Sequence, residues 1–163
     1  MNPGAIRRAG IIIASTRAAS GGYTDRSAPI IGQWLEGHGF ELAEPIIVPD
    51  GEPVGVALGD LLDSTPSLVI TSGGTGLAPD DLTPEMTAPL LDREIPGIME
   101  AIRAVGRTKT PYAALSRGHA GTVGQTLVLN LPGSPSGVRD ALDVLDPLIN
   151  HLCEQIEGGY GHV

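Results

Sequence analysis

The sequence predicts an α/β protein with a mostly parallel sheet flanked by helices. Short β-branched runs, Ile11-Ile12-Ile13-Ala14, Ile46-Ile47-Val48 and Ser67-Leu68-Val69-Ile70-Thr71, alternate with segments of helical periodicity. That alternation is the pattern of βαβ units joined by right-handed crossovers. A second observation is composition: despite 23 glycines and 14 prolines, 41% of the chain is hydrophobic and mean hydropathy is +0.11, which excludes a disordered low-complexity segment. Third, 163 residues suit one domain closing a single core, and with 3% aromatic residues that core is aliphatic.

The first strand, Ile11 to Ala14, is short and bounded by glycine and Ser15-Thr16, as expected of a strand buried on both faces. Residues Arg17 to Arg26 read as a loop. Ser27 is placed to cap a helix carrying Ile30, Ile31, Trp34 and Leu35, which stops near Gly37-His38-Gly39. Ile46 to Val48 forms the next strand and Pro49-Asp50-Gly51-Glu52 its exit loop. A helix from about Pro53 turns Val54, Leu58, Leu61 and Leu62 inward. The third strand, Ser67 to Thr71, runs straight into Ser72-Gly73-Gly74-Thr75-Gly76.

Thr83-Pro84-Glu85 has the form of an N-cap, a first-position proline and a first-turn acid, starting a helix toward Leu91. Pro96-Gly97 starts another through Ile98, Ile102 and Val105. Tyr112 to Leu115 and Thr126 to Leu131 read as strands, with Gly118 to Gly124 as a turn or hairpin between them. Ser134-Pro135 opens a last helix with Val138, Leu142 and Leu145 on one face, broken or kinked at Pro147. No internal repeat or interdomain linker interrupts residues 1–163, and 158–163 read as a loose tail.

Nineteen acidic against ten basic residues leave a formal net charge of −9 and a sequence pI near 4.7. Nucleic acid and anionic membranes repel such a surface, so neither is an expected partner. No stretch approaches the ~18 consecutive apolar residues of a membrane span. The single cysteine, Cys153, forms no internal disulfide, which fits a reducing, cytoplasmic setting.

The strongest chemical signal is Thr71-Ser72-Gly73-Gly74-Thr75-Gly76 after a buried strand. Glycines there let successive N–H groups converge on an anion, and phosphate is the natural guest. The run matches neither a Walker loop nor a dinucleotide fingerprint, and a plain strand-to-loop turn explains it equally well. Asp50 and Asp80-Asp81 come after different strands. In a parallel sheet these exits share one rim, where carboxylates can hold Mg²⁺ together with phosphate oxygens. Turn chemistry at Pro-Asp-Gly and a favourable helix-dipole position for Asp81 are the competing reading. Arg17, Arg26, Arg93 and Arg117 are candidate anion partners by guanidinium geometry. Asn130-Leu131-Pro132-Gly133-Ser134-Pro135 lies at a strand exit before a helix, a second anion-binding corner or an ordinary β-to-α turn. No catalytic triad, nucleophile elbow or histidine metal spacing is present.

Together, Val48-Pro49-Asp50, Thr71 to Gly76 with Asp81 and Thr83-Pro84-Glu85, Asp92 to Gly97, Leu115-Ser116-Arg117 and Asn130 to Pro135 resemble the MogA/MoaB family of molybdenum-cofactor biosynthesis proteins. The likeness covers nearly the whole chain, in order and at family spacing. It implies a three-layer α/β domain that assembles as a homotrimer and adenylylates molybdopterin with Mg²⁺ and ATP, releasing pyrophosphate. It also implies a downstream molybdate-insertion protein as a possible partner.

Carried over from that resemblance, Asp50 and Asp81 match acidic positions associated with catalysis, metal and ATP activation. Ser72, Gly73, Gly74, Thr75 and Gly76 match the loop around nucleotide and pterin phosphate. Ser116 matches the serine of the pterin side, with Arg117 beside it, and Pro132, Gly133 and Ser134 fall in the loop near the adenylate. One departure stands out: Leu77-Ala78-Pro79-Asp80 precedes Asp81, where many relatives carry a basic residue beside the aspartate. The alternative is a non-catalytic molybdopterin-binding carrier that keeps Ser116 and the glycine loop but tolerates loss of Asp50 and Asp81.

Overall fold

The computed structural model describes residues 5–159. The chain runs through β1 (Arg8–Ala14), a one-turn helix α1 (Thr16–Ala19), α2 (Ser27–Gly37), β2 (Glu41–Leu42), β3 (Ile46–Val48), α3 (Glu52–Asp63) and β4 (Leu68–Ser72). Then come α4 (Thr83–Thr87) with a 3₁₀ turn over Ala88–Leu90, β5 (Arg93–Glu94), α5 (Pro96–Arg107) and a second 3₁₀ turn over Pro111–Leu115. The chain closes with β6 (Ala120–Val123), β7 (Thr126–Leu131), α6 (Pro135–Leu145) and α7 (Ile149–Ile156).

Seven strands form one sheet in the order β2-β1-β4-β7-β6-β5, with β3 also paired to β1. Strands β1, β2, β3, β4 and β7 are mutually parallel. Strand β6 is antiparallel to β7, and β5 to β6. The sheet is therefore mostly parallel, as expected, with an antiparallel edge.

Period-two alternation divides each central strand between two cores. Ile11, Ile13, Leu68, Ile70, Leu127, Leu129 and Leu131 face α2, α5, α6 and α7. Ile12, Ala14, Val69 and Val128 face Val54, Ala57 and Leu58 of α3. This is why the central strands are apolar on both faces, and it makes the three layers the sequence predicts.

Five local expectations are corrected. The segment from Arg17 to Arg26 is not all loop, because Ser15 Oγ accepts from Ala18 N (3.2 Å) and starts α1. Ser27 does not cap α2. The N-cap position is Arg26, and the Asp25 carboxylate before it takes the Ser27 and Ala28 N–H groups at 3.1 and 2.8 Å, while Ser27 Oγ donates to Gly133 O. Thr83 lies inside α4 rather than at its cap, and α4 ends at Thr87.

Tyr112 to Leu115 is a 3₁₀ turn, not a strand. Pro111 lacks an N–H for a ladder, and Thr110 Oγ1 accepts from Tyr112 N (3.3 Å), which closes the turn. Within Gly118 to Gly124, four residues form β6, so the hairpin's turn is confined to Gly124-Gln125. At the C-terminus, Gly158 and Gly159 bond back to Gln155 O and Glu154 O; the rest of the expected tail lies outside the described residues. Among the described residues no helix is long and apolar enough to cross a membrane.

Cys153 sits in the larger core, 2% exposed, and burial pushes its thiol up to about 11. A thiol so placed is an inert packing group. Ellman's reagent at mildly alkaline pH should leave the folded chain unmodified and titrate the cysteine only after denaturation; rapid modification of the native chain would contradict the packing described.

Candidate functional site

Parallel pairing sends the exits of β1, β3, β4 and β7 to one rim, and the loops leaving these strands build the candidate site. Ser15 N donates to Val48 O (2.9 Å), which hooks the exit of β1 to that of β3. Thr16 then takes hold of Asp50. Its N–H and Oγ1 each reach Asp50 Oδ2 at 3.1 Å, and Asp50 N lies 3.2 Å from the same hydroxyl oxygen. Asp50 Oδ1 takes no hydrogen bond among the described residues and faces the glycine loop.

That loop leaves β4 with Gly73 at φ +96° and Gly74 at φ +67°. A Cβ on Gly73 would sit 2.3 Å from Ala14 O, and one on Gly74 would sit 2.3 Å from Thr83 Oγ1 and 3.1 Å from Asp50 Oδ1. Only glycine fits either position. Gly73 N donates to Leu131 O (3.1 Å), and the position of a Gly133 Cβ is 3.2 Å from Gly73 Cα, so the Pro132-Gly133-Ser134 loop lies directly on the glycine loop. Ser72, 1% exposed, donates to Pro132 O at 2.8 Å and ties the two loops from below.

Asp81 is set by a tight turn in which Ala78 N donates to its Oδ2 (3.0 Å) and Asp81 N donates to Ala78 O (2.9 Å). A Cβ on Gly76 would meet that Oδ2 at 2.7 Å. Thus Asp50 borders the glycine loop at Gly74 and Asp81 borders it at Gly76. The structure brings the two carboxylates, the glycine loop and the Pro132 to Ser134 loop to one rim.

Arg117 has a different employment from the one its type suggests. Its Nε donates to Gly76 O (2.8 Å), one terminal nitrogen to Asp81 O (2.8 Å) and the other to the Glu85 carboxylate. The backbone N–H of Arg117 also holds Thr75 O (2.9 Å). The guanidinium clamps the glycine loop to the Asp81 turn. Its hydrogen bond holds the Glu85 carboxyl below the usual carboxylate range. Ser116 Oγ lies 3.3 Å from Thr75 Oγ1, while Ser134 Oγ accepts from Gly137 N (3.1 Å) and caps α6.

Sequence reasoning missed several contributors. Asn130 begins the segment expected as an anion-binding corner, but its role is internal: 1% exposed, it donates to Thr71 Oγ1 (2.9 Å) and Thr87 Oγ1 (3.1 Å) and accepts from His119 N (2.9 Å). It locks β4, β7 and α4 together under the rim, and its signal was a polar residue inside the apolar run Leu127 to Leu131. Thr16 carried only the signal of a hydroxyl at a strand exit. Beside Ser116, Pro132 and Ser134 opens a cavity of about 240 Å³, also walled by Lys109, Tyr112 and Asp140. Nothing in the chain order marked those three. A larger apolar groove of about 440 Å³, between β3 and α3, includes none of the predicted site residues.

Among the described residues no group of three or more His, Cys, Asp or Glu side chains forms a metal cage. Two carboxylates on separate loops, each with an oxygen that takes no hydrogen bond among the described residues, are instead the donor set that suits Mg²⁺ completed by phosphate oxygens.

An open, mostly parallel sheet whose strand exits gather a glycine loop and two carboxylates on one rim defines an α/β protein with a candidate site at the carboxyl ends of its strands. Residues 10–151 match the family described as a probable molybdopterin binding domain. The chain belongs to that family. It is 39% identical over 161 residues to a molybdenum cofactor biosynthesis bifunctional protein of Chlorobaculum tepidum, covering 95% of this chain and 50% of that protein. It is 37% identical over 140 residues to the molybdopterin adenylyltransferase of Escherichia coli K12, covering 83% of this chain and 72% of that protein. The chain therefore spans half the length of the bifunctional relative and most of the adenylyltransferase. The molybdopterin biosynthesis Mog protein of Mycobacterium ulcerans is similar in structure, with TM-score 0.90, 54% identity and coverage of 95% of this chain and 99% of that one.

Gly73→Ala should lose at least about 3 kcal/mol in urea denaturation, because both its φ and the Ala14 carbonyl oppose a methyl group. The clamp also titrates. Since the folded Glu85 carboxyl lies below its unfolded value, its contribution is complete above the unfolded range and disappears as pH falls through the lower folded value. Glu85→Gln should remove that acid limb from the stability profile and leave the neutral-pH fold unchanged by circular dichroism.

Proposed function

We propose that this chain adenylylates molybdopterin with ATP, releasing pyrophosphate. The observation that carries the reading is the juxtaposition of a glycine loop with two carboxylates, Asp50 at Gly74 and Asp81 at Gly76. The named adenylyltransferase relatives support the same reaction.

In the proposed reaction a terminal phosphate oxygen of molybdopterin attacks the α-phosphorus of ATP. The new P–O bond forms as the bond to the pyrophosphate oxygen breaks. Little acid-base help is needed, so positioning and charge neutralisation are the main tasks. Backbone N–H groups of Gly74, Thr75 and Gly76 serve the phosphates, and the Pro132-Gly133-Ser134 loop lies against the adenylate. The cavity beside Ser116 receives the pterin.

Asp50 and Asp81 would hold Mg²⁺, which when bound supplies the positive charge that offsets two polyanions. Thr16 keeps Asp50 oriented through Oδ2 and leaves Oδ1 toward the loop. Arg117 serves as a positioning residue, holding Gly76 and Asp81 in register. We further propose a cytoplasmic location, a homotrimer, as the family resemblance implies, with exposed Ile47 on β3 and Val56 on α3 available for contact between copies, and a product that passes to a molybdate-insertion protein.

Product mass and pyrophosphate release, followed together with molybdopterin, ATP and Mg²⁺, test the reaction. Wild-type chain should give both products. Asp81→Asn should lower turnover by more than about 100-fold while keeping the fold and molybdopterin binding. Tight molybdopterin binding with no product from folded, Mg²⁺-supplied wild type would favour the carrier instead.

A further inference from the structure

Asp140, on α6, is the only charged residue buried among the described residues, its side chain 11% exposed. It lines the cavity beside Ser116 and makes an ion pair with Lys109, which lies just beyond α5 and lines the same cavity. Asp140 Oδ1 takes the Lys109 ammonium, and Oδ2 takes no hydrogen bond among the described residues. Burying a carboxylate is costly, and an apolar side chain would hold α5 to α6 at least as well. Neither phosphate, which the carboxylate repels, nor the rim at Asp50 and Asp81 explains the pair.

Its hydrogen-bonding pattern does point to a guest. A carboxylate only accepts and an ammonium only donates. The matching ligand edge carries two adjacent N–H donors beside a carbonyl oxygen, the 2-amino-4-oxo edge of a pterin pyrimidine ring. The carboxylate has about four lone-pair sites, so Asp140 can accept from N3–H and the 2-amino group while keeping Lys109. The ammonium in turn donates to the 4-oxo oxygen. Adenine fits badly, because its N1 lone pair would face the carboxylate.

We propose that Asp140 and Lys109 are specificity-determining residues that read the pyrimidine edge of the pterin and exclude the adenine of the nucleotide from this cavity. The inference rests on the cavity's being the pterin side of the proposed reaction. It adds an orientation: the ring enters edge-first toward α6, with its phosphate-bearing side toward the glycine loop.

Titration of the full chain with free pterin and with lumazine, its 2,4-dioxo counterpart, tests the pair without any turnover. Lumazine presents an oxygen where pterin presents the 2-amino group. Wild type should bind pterin at least roughly tenfold tighter than lumazine, the scale of a hydrogen bond to a charged group. Asp140→Asn should collapse that preference.

Lys109→Met, on a side chain that is 62% exposed, should weaken both ligands alike, since both carry the 4-oxo group. This variant decides the matter if Asp140→Asn does not fold. Equal affinities in wild type, a preference retained in Asp140→Asn, or unchanged binding in Lys109→Met would overturn the proposal. Adenylylation by wild type without pterin selectivity would sink this inference alone; selectivity without adenylylation would sink the proposed activity alone.

Discussion

The contact on which the rim depends is Gly73 against Ala14 O. With no Cβ at Gly73, the exit of β4 crosses the exit of β1 at backbone distance, and its N–H still reaches Leu131 O on β7. Three neighbouring parallel strands thereby deliver their loops to one spot. Move β4 away by the width of a methyl group and the loop of Gly74 to Gly76 withdraws from Asp50, the Pro132 loop loses its seat, and the Ser72 tie to Pro132 O is broken. A close-packed interior transmits such a shift instead of absorbing it.

Beneath this contact, a polar network does what apolar packing alone cannot. Asn130 is buried in an otherwise aliphatic strand, yet its side chain bonds to Thr71, Thr87 and the His119 N–H. Each bond is directional, so β4, β7 and α4 share one register relative to the rim. Thr87 continues the chain by donating to Thr83 O (2.7 Å), and Thr83 N donates to Gly74 O (3.1 Å). The line from Asn130 to Gly74 is hydrogen-bonded throughout.

The layers were legible in the sequence because a strand buried on both faces leaves a near-continuous apolar run and a one-sided helix leaves a 3.6-residue period. Ile11 to Ala14 and Thr126 to Leu131 show the first, and Val138, Leu142 and Leu145 the second. What was not legible depends on contacts distant in sequence. Strands β2 and β5 have two residues each and exist only because β1 and β6 offer free edges. Tyr112 to Leu115 has the residue types of a strand, but Pro111 and the Thr110 hydroxyl decide for a turn. At the rim, the residue types of Asp50, Asp81 and the glycines were visible, whereas the roles of Thr16 and Asp140 arise from partners 34 and 31 residues away. Arg117 shows the same limit: its chemistry suits anions, and only the fold reveals that its guanidinium is bonded to Gly76, Asp81 and Glu85.

With Arg117 so occupied, an acidic protein must handle phosphates by other means. At a net charge of −9, long-range potential repels polyanions, and the arginine nearest the glycine loop has its nitrogens on protein acceptors. Backbone N–H groups of the glycine loop are the positive potential left at the rim. Under the proposed function Asp50 and Asp81 would be the residues that hold a divalent cation, and its charge would offset the phosphates where the occupied Arg117 cannot.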